Sequence, residues 1–215
     1  MRLVVTCGPS YEPIDEVRRI TNFSTGELGI LLANRLAQAG FEVICFKGVG
    51  ATSQKRLKDV RIVPFATNDH LRSELTALKH RGEVAAVFHA AALSDYRVRR
   101  VQSSDGSELA GLKIPSRDGG LTLTLEPATK LIPELRPLFP NSRIVGWKYE
   151  LQGNREETLI AAAQQLEESR SDACVINGAA YGVGFGFYQP GQALVHLGDK
   201  LALCEHLAQW IARLL

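Results

Sequence analysis

Twelve residues near the N-terminus, Arg18 to Gly29 (RRITNFSTGELG), hold side chains suited to binding an anion. Arg18 and Arg19 bring charge, and a guanidinium holds an oxyanion through two parallel N–H donors. Asn22 adds an amide. Ser24, Thr25 and Gly26 are small and stand just before a helical pattern that starts near Glu27. The N–H groups at a helix start favour phosphate or carboxylate when small residues let a ligand come close. A plain helix cap by Ser24 or Thr25, with solvated arginines, is the simpler alternative. It explains one hydroxyl and leaves the amide and both arginines without a task.

A second stretch, His89 to Val98 (HAAALSDYRV), leaves an apolar, strand-like run. In open α/β sheets ligands sit beyond the carboxyl ends of strands. Small residues such as Ala91 and Ala92 there would let backbone N–H groups approach a ligand. Asp95 would accept from a sugar hydroxyl, a base amine or an ammonium. The alternative is that the alanines pack a crossing and Asp95 caps a turn. Lys113, in GLKIPS, follows a long polar stretch, where a closing loop would place a charge over a reacting phosphate. Lys148 lies in VGWKYEL. A single lysine near a loop is ordinarily solvated. GVGFGF reads as a glycine-loosened turn whose Phe185 and Phe187 would stack a base or anchor a core.

The elements that must position these residues alternate. Strand-like runs cover Leu3–Cys7, Glu42–Phe46, Arg61–Val63, Val84–His89, Leu121–Leu125, Arg143–Gly146, Ala173–Asn177 and Ala193–Leu197. Helical spacing covers Glu27–Ala39, His70–Lys79, Lys130–Leu138, Glu156–Glu168 and Lys200–Leu215. Thr67, Asn68 and Asp69 offer caps for the second helix. This alternation predicts a mostly parallel sheet with helices on both faces, in one domain over residues 1–215. Residues 97–120 break the pattern with a polar run and read as either a functional loop or a partly disordered segment.

The net charge is +2, so any basic site is local and no field argues for nucleic acid or membrane. Four scattered cysteines without a C-x-x-C pair read as buried, reduced thiols in a cytoplasmic protein. The five histidines show no ligand spacing, so no metal site is expected. No apolar run approaches the length of a membrane span. P-loop, G-x-G-x-x-G and G-x-S-x-G motifs are absent from the sequence.

Together CGPSYEPID, VRRITNFSTGELG, AAALSDY, LKIPS, VGWKYE and the phenylalanine before QALVHL resemble the phosphopantothenoylcysteine synthetase family along the whole chain. The resemblance implies a Rossmann-like three-layer α/β/α sandwich with a protruding appendage at about 97–125 for the active-site loop and dimerisation. It implies a stand-alone ligase domain without the flavin-dependent decarboxylase. The reaction would join 4′-phosphopantothenate to L-cysteine through an acyl-nucleotide, using CTP or ATP with Mg2+. Asn22 and Lys113 would be catalytic. Arg18, Asn22, Ala91, Ala92 and Asp95 would bind substrate, with Arg18 reaching the partner's site in a homodimer. Gly8, Ser24, Gly26, Asp95, Lys113, Gly146, Lys148, Phe187 and Lys200 would bind nucleotide. LKIPSRDGG lacks the lysine-rich bacterial loop, and Lys148 stands where bacterial members carry small residues. Both are closer to eukaryotic members, so CTP and ATP stay open. Glu27 stands where a basic residue is common. A nicotinamide-dependent oxidoreductase and a non-catalytic nucleotide-binding relative are the other readings of this fold class.

Overall fold

The computed structural model describes residues 1–109, 113–114 and 119–215. In chain order the elements are β1 (Arg2–Cys7), β2 (Tyr11–Pro13), β3 (Arg19–Thr21), α1 (Glu27–Gln38), β4 (Glu42–Gly48), β5 (Arg61–Phe65), α2 (Asn68–Ala77), β6 (Val84–His89), β7 (Tyr96–Ser103) and β8 (Leu121–Pro127). They continue with α3 (Ile132–Leu138), β9 (Arg143–Tyr149), α4 (Arg155–Ser169), β10 (Ala173–Asn177), β11 (Phe185–Tyr188), β12 (Val195–Leu197) and α5 (Lys200–Leu214).

The main sheet has eight strands in the order β12-β11-β10-β9-β6-β1-β4-β5. From β5 to β10 the pairs are parallel, and β11 and β12 add antiparallel edges. The inner strands are apolar because both faces are covered. Odd-numbered positions of β1 (Leu3, Val5, Cys7) pack with Ile30, Leu32, Ala33 and Leu36 of α1 and Leu203, Leu207 and Ile211 of α5. Val4, Ile44 and Phe46 face the other way, onto Leu71 and Leu75 of α2 and Leu135 of α3. Helix α4 covers Cys174 and Ile176 on the same side as α2 and α3. The three layers expected from the alternation are therefore present.

Three expectations need correction. The expected loop at 97–120 begins instead as a strand: Tyr96–Ser103 is β7, paired antiparallel with β8 in a two-stranded ribbon apart from the main sheet, while residues 110–112 and 115–118 of that stretch lie outside the described residues. Half of the β7 side chains are exposed, on both faces, so its sequence shows no clean alternation, unlike the LTLTL run of β8. Phe185–Tyr188 is not a turn but strand β11. Gly186 disguises it, and glycine is needed because a Cβ would lie 2.8–2.9 Å from the Tyr181 ring. Residues 11–21 hold a β2–β3 hairpin that three-residue strands make invisible to periodicity.

All four cysteines are buried free thiols. Cys7 and Cys45 lie 3.5 Å apart at sulfur, and this contact with Cys7, together with burial, raises the Cys45 thiol. Burial pushes Cys174 and Cys204 up to about 12. Protonated thiols of this kind are inert. Among the described residues no helix is long and apolar enough to cross a membrane.

Candidate active site

From β1 the chain runs through α1 to β4 on one side, and β6 pairs on the other. The carboxyl ends of β1 and β6 thus flank the topological switch point, where such sheets bind ligands. The two strands continue side by side past their ends. Ala90 N–H donates to the Thr6 carbonyl (3.1 Å), Ala92 N–H to the Gly8 carbonyl (3.0 Å) and Ser10 N–H to the Ala92 carbonyl (3.2 Å). Ala91 N–H donates to Thr6 Oγ1 at 3.2 Å. The backbone N–H groups of Ala91 and Ala92 are therefore committed within the fold. They do not offer a ligand the donors that the alanines promised in the sequence.

Beneath this turn Thr6 Oγ1 lies 2.8 Å from His89 Nδ1, and both residues are buried. Thr6 Oγ1 thus accepts from Ala91 N–H and shares one further hydrogen bond with His89 Nδ1. Burial lowers His89 to about 4. His89 is thus a neutral structural partner of Thr6 at pH 7. From the other side Asn68 grips the turn: its Nδ2 donates to the Ser94 carbonyl (2.8 Å) and its Oδ1 accepts from Ser94 N–H (3.3 Å).

The β2–β3 hairpin delivers the amide. Thr21 Oγ1 donates to the Ser10 carbonyl at 2.7 Å and pins the hairpin base. Next in sequence, Asn22 Nδ2 donates to the carbonyls of Ala92 (3.1 Å) and Leu93 (3.0 Å). This orients its Oδ1 by elimination, and the residue stays exposed. Asn22 and Ala92 are thus brought together as expected. Asp95 is exposed just beyond.

Helix α1 starts beside Gly8. Gly26 is its N-cap, with φ 76° and no side-chain cap. Ser24 and Thr25 make only long contacts to Gly26 N–H (3.4 Å) and Glu27 N–H (3.3 Å). The N–H groups of Leu28 and Gly29 have no acceptor among the described residues. The approach is close because Gly29 meets β1: a Cβ there would lie 2.2 Å from Cys7 Cβ. Gly8 and Gly26, both in the left-handed region, face each other across Ala51. Such an uncapped helix start is suited to phosphate.

Sequence reasoning missed the loop after β4. Gly48 abuts the Pro9 carbonyl, and Ser53 N–H donates to the Thr25 carbonyl at 3.0 Å. Its signal was a Gly-x-Gly-Ala-Thr-Ser run following the strand next to β1. It also missed Glu27's partner. The Lys200 ammonium bonds the Glu27 carboxylate and holds it below its usual range, which ties the starts of α1 and α5 together. Lys200 therefore does reach the α1 N-terminus, with its charge compensated.

Other positions fall elsewhere. Phe187 is 1 % exposed and edge-on to His206 (5.0 Å) and Trp210 (5.3 Å), so it is a core residue with no face for a base. Gly146 is buried, and a Cβ there would meet Ile132 (2.5 Å) and Gln165 (2.8 Å), so helix packing explains it. Lys148 pairs with Glu150 at 3.0 Å. Lys113 is exposed. Arg18 is held within its own chain by Asp15 (2.5 Å) and by the Ile114 carbonyl (2.8 Å). Among the described residues no cluster of three or more His, Cys, Asp or Glu converges.

These elements define an open-sheet α/β protein with glycines, an uncapped helix start and an anchored amide at its switch point. Sequence comparison makes this specific: residues 1–210 match the family model described as the DNA/pantothenate metabolism flavoprotein C-terminal domain, and the chain belongs to that family. The coenzyme A biosynthesis bifunctional protein CoaBC of Thermococcus kodakarensis is 32% identical over 177 residues, covering 82% of this chain and 41% of that protein. The chain thus spans about two fifths of the curated relative. Its fold is that of the DNA/pantothenate metabolism flavoprotein from Streptococcus pneumoniae (TM-score 0.86, 24% identity, 100% of both chains). It is also that of a Cab2 mutant in complex with phosphopantothenate-cysteine (TM-score 0.71, 18% identity, 99% of this chain and 86% of that one).

Proposed function

We propose that this protein joins 4′-phosphopantothenate to L-cysteine through an acyl-nucleotide, the step of coenzyme A biosynthesis that its family membership favours. The observation that carries the reading is the anchored Asn22 beside the uncapped start of α1. The substrate carboxylate attacks the α-phosphorus of CTP or ATP. The bond to the bridging oxygen breaks and pyrophosphate leaves. The cysteine amine then attacks the acyl carbon, the nucleoside monophosphate departs, and the amine proton passes to solvent.

The free N–H groups of α1 and the Gly8–Gly26 contact suit the phosphates; Lys200 is neutralised there by Glu27, and the exposed Lys113 would bring the further positive charge. With its Nδ2 hydrogens given to Ala92 and Leu93, Asn22 presents Oδ1 as an acceptor and would take an N–H donor, from the amide of phosphopantothenate or the cysteine amine. The described residues offer no carboxylate cage for Mg2+, so the ion would arrive on the triphosphate and no step is assigned to it.

The exposed β7–β8 ribbon and the fully exposed Phe23 beside Asn22 fit a homodimer that buries them next to the site. Arg18 would serve the partner's substrate only by exchanging its bonds to Asp15 and Ile114. Sedimentation of the purified chain tests this: a monomer at micromolar concentration would remove the dimer from the reading. The chemistry is tested by isotope-labelled cysteine, whose incorporation must require both nucleotide and phosphopantothenate.

A further inference from the structure

The tip of the β2–β3 hairpin carries Asp15, whose side chain is only 1% exposed. Its Oδ1 accepts from Val17 N–H (2.9 Å) and Arg18 N–H (2.7 Å), which closes the local turn. That alone would account for an aspartate at this place. Its Oδ2, however, accepts from Arg18 Nε (3.0 Å), Arg18 Nη2 (2.5 Å) and, ninety-nine residues away, Ile114 N–H (3.1 Å). Arg18 Nη2 completes the ring by donating to the Ile114 carbonyl at 2.8 Å. Both backbone polar groups of Ile114 are therefore held by the side chains of one hairpin tip. The Ile114 side chain is buried as well. Its neighbour Lys113 is exposed.

The same hairpin ends in Asn22, which grips Ala92 and Leu93. One two-stranded element thus fixes an amide at its base and the Lys113–Ile114 backbone at its tip. We propose that Asp15 is the positioning residue for Lys113, holding that lysine in register with Asn22 through Arg18 and the Ile114 backbone. The role given to Lys113 rests on the ligase reading. The tether itself does not. A cation that must meet a phosphate gains rate from being held in place, and the loss is large when its support slackens.

Two measurements on the whole chain test this. Amide hydrogen exchange of Asp15→Asn compares the peptide holding Lys113 and Ile114 with peptides of the main sheet. Asparagine keeps the volume but presents an amide to two donors. The account expects exchange at Lys113–Ile114 to rise about ten- to a hundredfold, as for loss of a hydrogen bond to a charged group, with the sheet unchanged. Arg18→Gln, which leaves the Oδ1 turn intact, should show the same local rise. Unchanged exchange in both variants overturns the tether.

The second measurement is a mutant cycle on pyrophosphate release. If Asp15 acts through Lys113, Asp15→Asn slows release about tenfold, and the double variant with Lys113→Ala is no slower than Lys113→Ala alone. Additive losses would make Asp15 merely structural and overturn its positioning role. If the wild-type chain releases no pyrophosphate, the ligase reading fails, and the exchange result still decides the tether.

Discussion

The side-chain amide of Asn22 donates to the carbonyl of Ala92 at 3.1 Å, joining the hairpin after β1 to the turn after β6. A second bond, to Leu93, fixes which way the amide points. Asn22→Asp would set a carboxylate against two carbonyl oxygens and next to incoming anions. Product formation should fall about a hundredfold or more, in line with loss of one preorganised polar group. The residue is exposed, so the melting temperature should move by only a few degrees. Product assay and thermal melting, run together, check both halves.

The neutral His89 makes stability depend on pH. Its folded value is about 4, below the ordinary 6.5, so the unfolded chain binds more protons between those values. Its contribution is complete above about pH 6.5 and declines as pH falls towards 4, by up to about 3 kcal/mol. His89→Asn keeps a hydrogen-bond partner for Thr6 and cannot titrate. Denaturant unfolding at pH 7 and pH 4.5 should show a smaller pH effect in that variant. Equal effects would mean that His89 is not the source.

Asp15 acts in a lower window. The Arg18 guanidinium, aided by nearby backbone N–H groups, holds its carboxyl well below the usual range. The stability it gives is present above the ordinary carboxylate value near 4 and is lost as pH falls below it. The hairpin tether should therefore persist unchanged from pH 8 to pH 5, as read by exchange at Ile114.

Gly29→Ala tests the close seating of α1. The new methyl group would lie 2.2 Å from Cys7 Cβ, and neither backbone can yield freely. Overpacking of this kind costs about 1–3 kcal/mol. It should also weaken nucleotide binding, because it pushes the helix start away from Gly8. Calorimetry with each nucleotide and denaturant unfolding separate the two effects.

The long elements were legible because they are buried on a regular period. Leu28, Leu31, Leu32 and Leu36 mark α1, and Val84–His89 is a strand without ambiguity. Tyr96–Ser103 was not legible, since a ribbon exposed on both faces needs no hydrophobic side. Within the site, Arg18, Asn22 and Gly26 stood out by residue type, and Gly8 came only with the family resemblance. The tertiary relationships did not. Nothing in the sequence says that Thr6 takes the N–H of Ala91, that Asp15 holds Ile114, or that Glu27 meets Lys200. Phe187 and Gly146 looked available because short motifs do not show burial.

The central claim is the ligation, and its most direct measurement is pyrophosphate release by the purified protein with Mg2+, CTP or ATP, cysteine and 4′-phosphopantothenate. Release should require phosphopantothenate, with one nucleotide clearly preferred. Release with neither nucleotide, or release indifferent to phosphopantothenate, would contradict it.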